Sequence, residues 1–106
     1  MEVRTMEMEH KREDGVLTIV LPERIDPTNA SDAEAEIERI LSEGEGEVIV
    51  FDASNMNYIS SAGLRVIIKV VKQGRNVTVK DVSSDVYDIF KVSGFTNFIN
   101  VEKRTA

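Results

Sequence analysis

Four consecutive apolar residues, Val48-Ile49-Val50-Phe51, run into a mostly polar loop and then into a helix-period pattern. A short apolar run bounded by polar residues reads as a buried strand. Four in a row point to a strand covered on both faces, as in parallel pairing. After the loop, Leu64, Ile67, Ile68 and Val71 fall at i, i+3, i+4 and i+7, one face of a helix, with Arg65, Lys69 and Lys72 on the other side. A polar loop thus drops from a strand end into a helix start, and Ser60 and Ser61 sit at that start. Unpaired N–H groups and the positive end of the dipole lie there. Two roles suit a serine in that place: a hydroxyl that caps the helix, or the carrier of a phosphate that the same groups stabilise. Gly63 removes a side chain, so that another segment can approach closely.

Other elements fall in alternation around this centre. Residues 3–10 alternate loosely and read as a first strand; Lys11 to Gly15 is a charged turn ending in the hairpin signal Asp-Gly. Val16 to Leu21 is a second strand, antiparallel to the first, ended by Pro22. A loop from Glu23 to Asn29 leads to a helix capped by Thr28, Asn29 or Ser31; Ser31 with Glu34 spells a capping box. Ala30, Ala33, Ile37, Ile40 and Leu41 form its apolar face, and Gly44 and Gly46 close it. After the central strand, Glu47 to Phe51, the second helix runs from about Ser61 to Gln73 and is stopped by Gly74. Asn76 to Lys80 is a strand. Ser83 or Ser84 caps a third helix with Val86, Ile89 and Phe90 inward, and Gly94 ends it. Phe98 to Glu102 is a last strand, and residues 103–106 fray. The order β-β-α-β-α-β-α-β predicts an α/β domain with a mixed sheet whose later strands are parallel. Phe95, Phe98, Met56 and Tyr58 are expected to pack in or roof the core.

The chain has 106 residues, enough for one domain spanning 1–106. It has no apolar run near 18 residues, no signal-like N-terminal stretch and no cysteine, which together point to a cytoplasmic protein without a membrane span. A net charge of −6 speaks against direct nucleic-acid binding. The charge is unevenly spread. Residues 32–47 hold seven acids and one base, whereas residues 53–80 hold five bases and no acid. A phosphate is welcome in the second segment.

The stretch Tyr58-Ile59-Ser60-Ser61-Ala62-Gly63-Leu64-Arg65, preceded by Asp52-Ala53-Ser54, resembles the signature of the bacterial anti-sigma factor antagonists, the STAS-domain family. The family pattern is an apolar or aromatic pair followed by Asp-Ser-(Ser/Thr/Ala)-Gly-Leu. The resemblance implies a single STAS-like domain with helices mainly on one face of the sheet and the serine loop exposed at an edge. It also implies that the serine after the Asp is phosphorylated by a partner kinase that doubles as the anti-sigma factor. That acceptor falls on Ser61, while Ser60 stands where the family has Asp. This departure leaves Ser60 as a second acceptor candidate. The implied partner-binding residues are Tyr58, Ser60, Ala62, Gly63 and Arg65, with Asp26 and Asn29 in a second partner-contacting segment. The implied partners are the serine kinase/anti-sigma factor and a resetting serine phosphatase.

Arg65 lies four residues after Ser61, on the same helix face, where it can pair with a phosphate. Asp52 either positions the serine loop through hydrogen bonds to its amides or is an ordinary strand-end turn residue. No catalytic assembly is legible. His10 is the single histidine and sits in the first strand or its turn, away from any Ser-His-Asp grouping. No histidine cluster marks a metal site, and Gly44-Glu45-Gly46 lacks the Lys-Ser/Thr of a phosphate loop. The expectation is therefore a regulatory protein, not an enzyme, with no cofactor. Two alternatives keep the same fold: a STAS subunit of a transporter or sensor complex that is never phosphorylated, and a module that binds a nucleotide or another anion at the helix start.

Overall fold

Hydrophobic alternation is what pairs the strands. The computed structural model describes residues 6–105. Strand β1 (His10–Glu13) turns through Asp14 and Gly15, both at positive φ, into β2 (Val16–Val20). Two successive residues at positive φ match the right-handed twist of the strands they join, which is why Asp-Gly serves here. The turn is shorter than the charge run predicts: Lys11 to Glu13 belong to β1, paired antiparallel with Val16 to Thr18. The first strand therefore starts at His10, the last residue of the stretch 3–10 expected to form it. Met6 to Glu9 have no regular structure, and residues 3–5 lie outside the described part.

Next come a two-residue strand β3 (Arg24–Ile25), helix α1 (Ala30–Leu41), β4 (Val48–Asp52), a second two-residue strand β5 (Tyr58–Ile59) and helix α2 (Ser61–Lys72). The chain ends with β6 (Val77–Val82), helix α3 (Ser84–Val92), a 3₁₀ turn at Phe95–Asn97 and β7 (Asn100–Lys103). The main sheet has the order β1-β2-β4-β6-β7, antiparallel at β1–β2 and parallel elsewhere. This is the mixed α/β architecture expected. The last strand starts two residues later than expected because the 3₁₀ turn intervenes. Residues 103–104 are not frayed, since Lys103 is in β7 and the Arg104 amide donates to the Val82 carbonyl at 2.7 Å.

Strand residues are buried in alternation, Leu17 and Ile19, Ile49 and Phe51, Val77 and Val79, with Val82 buried one step out of phase beyond the irregularity at Asp81. Val48 and Val50 are half-buried, so the central strand is covered on one face, not two. Its four apolar residues instead reflect a β-branched open face, where Val16, Val20, Val48 and Val50 lie beside Thr18 and Thr78. All three helices pack against the other face.

Helix α1 begins two residues ahead of the predicted capping box. Ala30 is its first residue and Asn29 its cap position, so Ser31 is already helical and Ser31–Glu34 do not form a box. Asn29 is held elsewhere: its Oδ1 accepts from the Asp26 amide and its Nδ2 donates to the Arg24 carbonyl, each at 2.9 Å. In α2 the fully buried stripe is Gly63, Val66, Ile67 and Val70, with Leu64 nearly so, while Ile68 and Val71 are half-buried. The apolar arc is wider than one face. Its sheet side and its shoulder carry equally apolar residues, and sequence periodicity does not separate them.

Candidate functional site

The two short strands decide the site. Arg24 and Ile25 pair in parallel with Tyr58 and Ile59, and the Ser60 amide continues the ladder to the Ile25 carbonyl at 2.8 Å. A ribbon of two residues buries Ile25 and Ile59 completely and carries the chain into α2. Gly63 sits over it. A Cβ at Gly63 would lie 2.7 Å from Ile59 Cγ1 and 2.9 Å from Ile25 Cγ2, so the close approach expected of this glycine is to the two isoleucine side chains.

Ser60 and Ser61 have opposite environments. Ser60 is only 8% exposed, takes extended backbone angles and uses Oγ to accept from the Gly63 amide at 3.3 Å. It is the N-cap. Ser61 is the first residue of α2 and is exposed. The first turn of α2 contains no acid. Ala62 is half-buried, and Arg65 is exposed one turn beyond Ser61, in no ion pair among the described residues. The N-terminus of α2 therefore presents a hydroxyl, its own amides and a free guanidinium on one side of the molecule.

The β3–α1 loop lies beside it. Asp26 Oδ1 accepts from the Thr28 amide at 2.9 Å and from its hydroxyl, and Asp26 Oδ2 accepts from Arg24 Nε at 2.9 Å. The Thr28 hydroxyl and amide, followed by the Arg24 guanidinium, hold the Asp26 carboxyl below its ordinary range. The same Arg24 guanidinium stands 5.4 Å above the Tyr58 ring. Arg24 thus joins Asp26 to Tyr58 across the ribbon. The structure brings Asp26, Asn29, Tyr58, Ser60, Gly63 and, at the edge, Ser61 and Arg65 into one neighbourhood. Arg24 has no distinguishing sequence signal beyond its spacing from Asp26, and sequence reasoning passed over it.

Two aromatic expectations fail. Tyr58 is 42% exposed and does not roof the core, because its alternation partner Ile59 takes the inward place. Phe98 is 76% exposed, displaced from the sheet by the 3₁₀ turn, whereas Phe95 is buried as expected, 5.5 Å from the Phe90 ring. Met56 is buried. Asp52 acts as a strand-end turn residue: its Oδ1 accepts from the Ser54 amide two residues on at 2.9 Å, and the Ser54 carbonyl accepts from Arg104 Nη2 at 2.6 Å. Among the described residues no group of three or more His, Cys, Asp or Glu side chains could hold a metal ion, and no helix is long and apolar enough to cross a membrane.

Comparison with known proteins agrees with this geometry. The family profile described as STAS domain matches residues 7–106. A curated Bordetella bronchiseptica protein named "Putative anti-sigma factor antagonist BtrV" is 36% identical over 92 residues, covering 83% of this chain and 78% of that protein. A solved Thermotoga maritima structure, described as a "putative anti-sigma factor antagonist", superposes with a TM-score of 0.79 at 17% identity, covering 91% of this chain and 86% of that one. The anti-sigma factor antagonist SpoIIAA in its unphosphorylated form gives 0.71 at 14% identity, covering 90% and 87%. At those identities the structures attest the fold, while the profile and the 36% relative establish kinship: the chain belongs to the STAS domain family, in its anti-sigma factor antagonist group.

Proposed function

We propose that the protein is a partner-switching anti-sigma factor antagonist. Unphosphorylated, it binds a serine kinase that is also an anti-sigma factor, and so frees a sigma factor. Phosphorylated on Ser61, it lets go, and a serine phosphatase resets it. The protein is a substrate of both enzymes and catalyses nothing itself; the cycle runs in the cytoplasm.

One observation carries the choice of acceptor: Ser60 is buried with its hydroxyl engaged as a cap, while Ser61 is exposed at the first helical position with Arg65 one turn away. A phosphoserine adds about −1.5 to −2 of charge at neutral pH. First-turn amides and Arg65 would hold it on an intact fold, while a partner surface docked over Tyr58, Ala62 and the Asp26–Asn29 loop would meet an uncompensated, desolvated charge. The kinship with BtrV supports an anti-sigma factor as partner, and the match of Ser61 to the family's acceptor position supports a serine kinase and phosphatase.

The test is the intact mass of the protein taken from its native cells, followed by fragmentation. One phosphate on Ser61, lost in Ser61→Ala, is the expected result. A phosphate confined to Ser60 keeps the switch but overturns Ser61 as its acceptor; an unmodified chain under every growth condition together with a silent Ser61→Ala overturns the proposal and favours a structural subunit.

A further inference from the structure

A groove runs along the outer shoulder of α2, from Ser61 at one end to Lys72 at the other. It has two adjoining segments of about 240 and 160 Å³ that share Ile68, Phe95 and Phe98. Val71 completes the floor of the far segment. The groove therefore explains both α2 residues left half-buried and the exposed Phe98. A phenylalanine exposed at 76% on a rim above apolar side chains is unpartnered apolar surface. Its charge is one-sided: the charged residues lining it are Arg65 and Lys72, both basic, in a chain of net charge −6. Seven residues apart on a helix, they stand about 10 Å from each other on the same side.

We infer that this groove docks an amphipathic segment of a partner protein, helical and acidic, with apolar side chains against Ile68, Val71, Phe95 and Phe98 and carboxylates two turns apart facing Arg65 and Lys72. A second copy of this chain is a poor occupant. The acidic helix α1 exposes Glu38, with Asp32 and Glu34 half-buried, but no large apolar residue, and the one large apolar residue that α3 exposes is Val92, beside Asp85 and Asp88. Neither fills both segments. Naming the partner as the anti-sigma factor rests on the function proposed above; the chemistry of the groove does not. The arrangement gives Arg65 two competing uses. Facing a partner carboxylate, it strengthens docking; facing a phosphate on Ser61, it is withdrawn from the groove.

The full-length chain is to be panned against a phage-displayed library of random 16-residue peptides. Enriched peptides, made with a fluorophore, are then titrated by anisotropy against wild type, Phe98→Ser, Lys72→Glu and Ser31→Ala. Both groove residues are exposed, so thermal unfolding of these variants should match wild type. The expected peptides carry two acids about two helical turns apart around apolar residues. Their binding should weaken about tenfold or more in Phe98→Ser and in Lys72→Glu, as for truncated anchors elsewhere, and stay unchanged in Ser31→Ala, an exposed position on α1 outside the groove. No enrichment, enrichment of basic peptides, or binding indifferent to Phe98 and Lys72 overturns the docking site. So does a dimer in sedimentation that Phe98→Ser dissociates, since the occupant would then be a second copy. Peptide binding that persists in a protein never phosphorylated in its native cells would sink the proposed function and leave the groove standing.

Discussion

Replacing Gly63 by alanine sets two opposing effects against each other, and the coordinates decide between them. Gly63 has ordinary helical backbone, so alanine gains about 1 kcal/mol of helix propensity. Its new Cβ, however, would stand 2.7 Å from Ile59 Cγ1, 2.9 Å from Ile25 Cγ2 and 3.0 Å from Ile25 Cβ. Carbon pairs rest near 3.5–4.0 Å. Ile59 Cγ1 can turn away about χ1, but Ile25 Cβ is attached to the backbone of a hydrogen-bonded strand and cannot. Relief requires α2 to lift off the ribbon by several tenths of an ångström. Overpacking of this kind costs typically about 1–3 kcal/mol, more when backbone must move. The net expectation is a loss of up to about 2 kcal/mol, or up to roughly 8 °C in Tm for a domain of this length. Urea unfolding followed by circular dichroism reads it, with an unchanged m-value showing that the same surface is exposed. Gly63→Val should be worse than alanine, because its branches meet the same two isoleucines. A Gly63→Ala protein as stable as wild type, or more stable, would refute the claim that close packing selects glycine here.

Three further outcomes follow from the same geometry. Ser60→Ala should lose about 1 kcal/mol of stability in urea, the value of an N-cap side chain, while leaving phosphate acceptance at Ser61 in place by mass spectrometry; equal loss of acceptance would mean the cap and the acceptor are one residue. The Asp26 carboxyl titrates below its ordinary 3.8 in the folded chain. Its contribution to stability is therefore present above pH 3.8 and disappears as pH falls through the folded value, so Asp26→Asn should narrow its stability gap to wild type as the solution is acidified below about pH 4; a gap constant with pH counts against it. Arg104→Gln removes the donor to the Ser54 carbonyl, so amides of residues 53–57 should exchange faster while β4 amides keep their protection, and uniform loss across the sheet would show a merely global effect.

The legible part of this protein was the part built from repeating patterns. Apolar alternation in β2 and β6, the apolar run of β4 and the 3.6-residue stripes of the helices are local statements about which side of an element meets the core. Every one of those elements exists. The Ser-Ser-Ala-Gly-Leu stretch was equally visible, because a helix start needs a cap before it and an apolar residue after it. Burial of Ser60 and exposure of Ser61 was not. Adjacent serines are chemically alike, and only the bonds of residue 60 to the Ile25 carbonyl and the Gly63 amide tell them apart.

What the tertiary structure alone decided comes down to contacts between distant residues. The β3–β5 ribbon consists of two residue pairs, too short for any period, yet it joins the Asp26–Asn29 loop to the serine loop more than thirty residues later. Arg24 and Tyr58 meet because they occupy the outward positions of that ribbon while Ile25 and Ile59 take the inward ones. Phe98 reads as core by its composition and lies outside because a 3₁₀ turn, closed by the Phe98 amide on the Phe95 carbonyl, delays the last strand. A sequence states which residues avoid water. Which of them succeed depends on how much neighbouring surface the fold can bring to each, and that is settled only when every element is in place.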